Sequence, residues 1–286
     1  VACPFSAISD VSMITDVIEA IRDEKQEVYA CFAPSIEGQF GGVNVGEMIK
    51  ALQRLGFADA MEVSLGADAT AYYEAQEAKE VAREGGHMTT SCCPAFYNMV
   101  AKHYPALLDK VSHTVSPMVA TARFIKKKHP DAVVVFIGPC TAKKMEFKEG
   151  EPASRYIDCT LTFEEVQALF DSRNIDLTTL EEGVLDNASY FGRIFARSGG
   201  LSDAVVEALK EQNNEDFKLN AIACDGIEAC KAALLRASKN VLPNNFIEGM
   251  ACTGGCIGGA GCLTHGEKNK ADVDKYGKQA MEKTIL

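Results

Sequence analysis

The sequence predicts an α/β protein with mostly parallel sheets flanked by helices. Three observations predict it. The run Val133-Val134-Val135-Phe136-Ile137 is continuously apolar and largely β-branched, as in strands covered on both faces. Strand-like runs recur at residues 27–34, 61–65, 219–223 and 246–247, and helical stretches separate them, the alternation that builds parallel sheets. At 286 residues and 47% hydrophobic composition, the chain is large enough for one broad unit or for two packed lobes.

The elements follow in order. Residues 1–26 open with Val1-Ala2-Cys3-Pro4 and run into a helical pattern over residues 11–21. A Cys-Pro pair resembles the end of a ferredoxin cluster motif, but three further cysteines do not precede it. This segment is read as the stub of a ferredoxin-like domain or a linker helix. After the strand at 27–34, Val45, Met48, Ile49, Leu52 and Leu55 recur at helical spacing. The strand at 61–65 precedes an acidic helix over 67–83. No internal repeat or low-complexity tract interrupts the pattern.

A net charge of −11 argues against a nucleic-acid partner, which calls for a basic face. No stretch has the apolar length that spans a bilayer, and nothing favours a membrane surface, so a cytoplasmic protein is expected. The chain has 11 cysteines and no tryptophan. An odd number of scattered thiols makes a poor disulfide framework and points to soft-metal chemistry.

Three segments place cysteines just beyond strand-like runs, where α/β proteins build their sites. They are Thr90-Ser91-Cys92-Cys93-Pro94, the stretch from Gly138-Pro139-Cys140 through Lys143 to Glu146, and Met250-Ala251-Cys252-Thr253-Gly254-Gly255-Cys256. An iron–sulfur cluster takes four thiolates, and these segments offer five. Cys252 and Cys256 are spaced so that one near-helical turn aims both sulfurs at one centre. The glycines around Cys256 let backbone approach a bulky group. Zinc competes for such ligands, although Cys-x-x-Cys pairs are absent. Spacing alone leaves an iron–sulfur cluster and another thiolate site both open.

Together these segments resemble the three signature motifs of the FeFe hydrogenase catalytic domain, in the family's order, over residues 27–286. The resemblance implies two lobes, at about 27–125 and 126–286, with the active site in the cleft between them. It implies reversible reduction of protons to dihydrogen at a 4Fe-4S cluster held by Cys93, Cys140, Cys252 and Cys256. Through Cys256 that cluster would join a diiron unit bearing carbonyl, cyanide and azadithiolate ligands, which hydrogenase maturation proteins build and which an unmatured chain lacks. Lys143 would donate to one cyanide, and Pro34 and Ser35 would hold the other. Met250 and Phe195 would line the pocket. Taken singly, Ser35 reads as a turn cap, Phe195 as core and Met250 as a flexible filler.

The resemblance also implies a proton relay from Glu77 through Ser112 and Glu74 to Cys92. The bland reading of this acidic helix is a solvated face. The arginine usual at the relay's outer end aligns with Val81, with Glu80 and Arg83 as substitutes. Gly138, Met118 and Cys262 depart from the family's usual methionine, glutamine and glutamine. Cys31, Cys159, Cys224, Cys230 and Cys262 read as small hydrophobes. Expected electron partners are a ferredoxin-like carrier or an accessory iron–sulfur domain. Lys126, Lys127 and Lys128 are either its docking patch or an ordinary helix end. The alternatives to an enzyme are a hydrogen-sensing module with the same cofactor and an iron–sulfur assembly protein.

Overall fold

A computed structural model describes residues 9–83, 85–213 and 217–285, so Cys3 and its Cys-Pro motif lie outside the described residues. In chain order the elements are α1 (Ile14–Arg22), β1 (Val28–Phe32), α2 (Val45–Leu55), β2 (Asp59–Glu62), α3 (Ser64–Arg83), β3 (Met88–Thr89) and α4 (Pro94–His103). Next come α5 (Pro117–Lys128), β4 (Val133–Ile137), α6 (Thr141–Glu149), β5 (Cys159–Leu161), α7 (Phe163–Ser172) and α8 (Tyr190–Ile194). The chain ends with α9 (Gly200–Glu211), β6 (Ala221–Asp225), α10 (Ile227–Ser238), β7 (Phe246–Met250) and α11 (Glu267–Lys278). No helix among the described residues is long and apolar enough to cross a membrane.

The strands form two sheets, ordered β2-β1-β4-β5 and β3-β7-β6, and every pairing is parallel. β4 is the strand predicted to be buried on both faces, and its last four residues are fully enclosed. In the first sheet the chain steps from β1 out to β2, then returns to the other side of β1 at β4. That reversal opens a crevice beyond the carboxyl ends of β1 and β4. A 3-10 turn, Pro34–Ile36, leaves β1 there, and Gly138-Pro139-Cys140 leaves β4. In the second sheet, the ends of β3 and β7 release the segments carrying Cys92 and Cys93 and Cys252 to Cys256.

The sheets correct the expected lobe boundary. β4 and β5, assigned to the second lobe, complete the first sheet, while β3 joins the second. Continuously apolar β4 needs neighbours along both edges, and β1 and β5 supply them. Other corrections are local. The strand expected at 61–65 is Asp59–Glu62, because α3 already begins at Ser64. The strand expected at 219–223 is Ala221–Asp225, in register with β7 from Phe246 onward. The N-terminal helix contributes Met13 and Val17 to the core beneath the first sheet. Lys144 of α6 ties it down, binding Asp10 at 2.6 Å, the Val11 carbonyl at 3.0 Å and Glu165 of α7 at 2.8 Å.

Helix α3 joins the two halves, packing against α5, α8 and α9. Its inner face is small, with Ala67, Ala71, Ala75 and Ala78 buried, so neighbouring helices approach closely. Asp68 accepts from the Ser189 amide at 2.9 Å and the Ser189 hydroxyl at 2.5 Å, and that hydroxyl caps α8.

A buried ion pair holds the far side of this junction. Arg193 donates to both oxygens of Glu62 at 3.1 Å, and its guanidinium lies 4.6 Å from the centre of the Tyr276 ring. The Tyr276 hydroxyl also donates to Glu62, so β2, α8 and α11 meet at one carboxylate. Both charged side chains are removed from water, at 0% and 2% exposure. Such a pair contributes little over an apolar replacement, but breaking one side strands the other. Arg193→Met should therefore cost ~3–5 kcal/mol in denaturant unfolding, and the Glu62→Gln/Arg193→Met double variant distinctly less than the single one.

Candidate functional site

Each cysteine segment owes its position to a strand end followed by a helix or a glycine turn. Cys93 precedes α4, with Pro94 fixing the first turn, and Cys140 precedes α6. Both thiols thus stand at the N-cap positions of these helices. Cys252 and Cys256 lie on the loop beyond β7, which Gly254 and Gly255 bend through left-handed backbone at φ 86° and 88°. A Cβ at Gly255 would also stand 2.6 Å from the Ser198 amide nitrogen and 2.8 Å from the Ala196 carbonyl oxygen. Only glycine meets both demands.

The structure brings these four cysteines together. Every pair among Cys93, Cys140, Cys252 and Cys256 is close enough for one sulfur's charge to act on the other. No three His, Cys, Asp or Glu side chains among the described residues close on a single ion. Although each residue keeps some exposed surface, the Cys140 and Cys256 sulfurs lie deep. Burial and then the neighbouring thiols push Cys140 up to about 12 and Cys256 well above the ordinary thiol range. Cys252 moves the same way for the same reasons. A set of donors that resists ionising together is one that a cationic centre would compensate.

Lys143 is the buried cation beside this ring. Its ammonium donates to the Cys92 carbonyl at 3.0 Å and pairs with Glu146 at 2.5 Å. Glu146 in turn accepts from the Ser116 hydroxyl at 2.7 Å. Burial disfavours the lysine's charge, but Glu146 and the nearby Cys140 and Cys92 sulfurs outweigh it and hold Lys143 protonated. Pro34 and Ser35 are buried on the turn after β1, and the Ser35 hydroxyl finds no partner among the described residues. A buried hydroxyl ordinarily makes a hydrogen bond, so this one is available to a bound group. Cys92, Phe195 and Met250 share one apolar cluster, against which Cys93 and Cys256 pack.

The positions that depart from the family's usual residues have physical counterparts. A Cβ on Gly138 would meet the Phe136 ring at 2.6 Å, so the ring occupies the space that a side chain there would need. Met118 is buried in the cluster that includes Ala33 and Phe136. Cys262 turns its thiol to the Ile257 carbonyl at 3.4 Å, and burial pushes that thiol up to about 12. Cys31, Cys159, Cys224 and Cys230 are buried in apolar cores.

A second set of residues runs outward from Cys92, which is buried. Glu74 is fully enclosed, and neither carboxylate oxygen has a hydrogen-bond partner, although the Ser91 amide and Ser112 hydroxyl approach. Burial first, and Glu77 second, push Glu74 up to about 8. One turn along α3, Glu77 accepts from the Ser112 hydroxyl at 2.7 Å. It also accepts from the His113 amide at 3.0 Å and meets the His113 ring at 2.7 Å. Nothing in the sequence pattern singles out His113; its adjacency to Ser112 is the available signal.

Glu77 and Glu80 line a groove of about 570 Å³ with Tyr73, His113, Arg123 and Lys127. Val81 packs against the apolar cluster instead, and Arg83 is exposed and does not line the groove. Of the three lysines at the end of α5, Lys126 is spent internally on the Ala132 carbonyl and Asp158.

Comparison with known proteins follows the same outline. Residues 26–260 match the family described as iron only hydrogenase large subunit, C-terminal domain. Iron hydrogenase 1 of Clostridium pasteurianum is 27% identical, over 99% of this chain and 58% of that protein. The periplasmic Fe hydrogenase large subunit of Nitratidesulfovibrio vulgaris is 30% identical, over 87% of this chain and 72% of that protein. More distant is the cytosolic Fe-S cluster assembly factor narfl of Xenopus tropicalis, 25% identical over 64% of this chain and 48% of that protein. Among solved structures, FeFe-hydrogenase HydA1 from Chlamydomonas reinhardtii shares the fold at TM-score 0.75 and 21% identity, covering 96% of this chain and 90% of that one. The chain belongs to the family of C-terminal domains of iron-only hydrogenase large subunits.

Proposed function

We propose that this chain is the catalytic domain of a hydrogenase that interconverts protons and dihydrogen. One observation carries the reading: a ring of four thiols adjoins a buried thiol, Cys92, from which acids and hydroxyls lead to a solvent groove. A protein that only stored or passed on an iron–sulfur cluster would need the ring but not the route.

In this reading Cys93, Cys140, Cys252 and Cys256 would hold a 4Fe-4S cluster, and Cys256 would also serve the diiron unit. When bound, that pair of centres supplies the electrons and the site of dihydrogen bond making and breaking. The Lys143 ammonium and the Ser35 hydroxyl, with Pro34 beside it, would donate hydrogen bonds to the cyanide ligands. Met250 and Phe195 wall the pocket and keep water out. Cys92 gives and takes the last proton, refilled from Glu74, which Ser112 and Glu77 connect to the groove. A carboxyl poised near 8 is close to neutral pH and exchanges protons in either direction at little cost. Electrons would come from a ferredoxin-like carrier or an accessory iron–sulfur domain, and maturation proteins would supply the diiron unit. The same reading carries a cytoplasmic location. A second reading, iron–sulfur assembly, has the similarity to assembly factors in its favour.

Reconstitution should give about four irons per chain and lose the cluster in Cys252→Ser. Loading that reconstituted parent with a synthetic diiron complex should give dihydrogen from a reduced viologen, and Cys92→Ala should lower turnover by ~10²-fold or more. Equal turnover in the variant would remove Cys92 from the route. No turnover after verified loading, with cluster transfer to an acceptor apoprotein, would favour assembly.

Glu74 yields a separate test. Its carboxyl is raised in the folded chain, from the ordinary 4.5 to about 8, so the neutral form stabilises the fold and that contribution is lost as pH rises through this window. Glu74→Gln should melt like the parent near pH 4 and be more stable above pH 8, by on the order of a few kcal/mol.

A further inference from the structure

We propose that His113 is the proton port of the relay, exchanging protons with bulk water and with the Glu77 carboxylate. The inference rests on the hydrogenase reading for its purpose, but its geometry stands independently. The His113 side chain is 84% exposed, whereas that of Glu77 is 20% exposed, and the ring Nδ1 lies 2.7 Å from Glu77 Oε1. The same carboxylate accepts from the His113 amide at 3.0 and 3.2 Å and from the Thr114 hydroxyl at 3.5 Å. The backbone therefore fixes the inner partner, while the ring stays free to meet solvent.

The alternatives at this end fit less well. Val81 cannot ionise and packs in the apolar cluster. Arg83 does not line the groove, and Glu80 does but repeats the charge of Glu77. Arginine, in any case, keeps its proton at all physiological pH, so it can steer protons but not hand one over. Histidine gains and loses one near neutrality. The ring also borders a second groove of about 510 Å³, shared with Tyr97, Ser116 and Glu146, so it is reached from two sides.

The step is a simple transfer. The imidazolium Nδ1–H bond breaks as an O–H bond forms on Glu77, leaving a neutral ring with its remaining proton on Nε2. The exposed ring then swings out, takes a proton from hydronium or a protonated buffer molecule, which is left as water or the free buffer base, and returns. Glu77, Glu80 and Tyr73 of α3 and Arg123 and Lys127 of α5 share the first groove with His113, and Tyr97 of α4, Glu146 of α6 and Glu151 share the second.

Two measurements test the port. The first follows the His113 ring resonances by NMR across pH 5–9 in the cluster-bearing chain. The ring Nδ1 resonance, which reports the hydrogen bond to Glu77, should move in Glu77→Gln, and identical ring resonances in the two chains at every pH would overturn the proposal. The second uses the diiron-loaded chain. His113→Gln keeps a hydrogen-bond donor but carries no proton, so turnover at pH 7 should fall roughly tenfold and its pH profile should change shape. Added imidazole should restore turnover in His113→Ala. An unchanged profile in His113→Gln, with no imidazole response in His113→Ala, would overturn the port. A parent chain without turnover would count against the hydrogenase reading alone, and the NMR titration would still judge the His113–Glu77 exchange.

Discussion

Everything at this site depends on the way parallel strands deliver their carboxyl ends to one edge of a sheet. β1 and β4 open their crevice at the same edge, and β3 and β7 do likewise in the other sheet. Four loops therefore converge without any of them being long. The interlock is made by backbone groups: the Gly261 amide donates to the Pro139 carbonyl at 2.8 Å, and the Ser198 amide to the Gly254 carbonyl at 3.0 Å. The first bond joins the cysteine loop of the second sheet to the one leaving the first sheet. Because the thiols come from both sheets, the site and the seam between the halves are one feature.

Around that seam the charges are arranged by burial. Lys143 keeps its proton because a carboxylate and thiols surround it, whereas burial, and then the nearby Glu77 carboxylate, raise Glu74. Two buried ionisable groups near Cys92 thus sit in opposite charge states. The first favours anionic ligands, and in the proposed reading the second holds a mobile proton.

Much of this was legible in the sequence, for identifiable reasons. β4 announces itself because enclosure on both faces demands an unbroken apolar run, and the cysteine segments do so because several residue types must coincide at fixed spacing. β3 and β5 leave little trace, since two or three residues are too few to show a period. The lobe boundary was illegible because partnership between strands is a long-range matter: β4 pairs with β1 across a hundred residues of intervening chain. His113 went unnoticed for a related reason. A lone histidine has no pattern, and only its placement against Glu77 gives it meaning.

In the proposed relay, helix α3 acts as a ruler for the inner part of the route. Glu74 and Glu77 are separated by three residues of regular helix, a rise of ~4.5 Å, and that spacing cannot stretch or slip while the surrounding helices grip the small inner face. The outer end, Ser112 to Thr114, lies on a loop and can be re-equipped one residue at a time. If the relay operates as proposed, point changes on that loop would alter how the chain answers external acidity while the hop length inside remains constant.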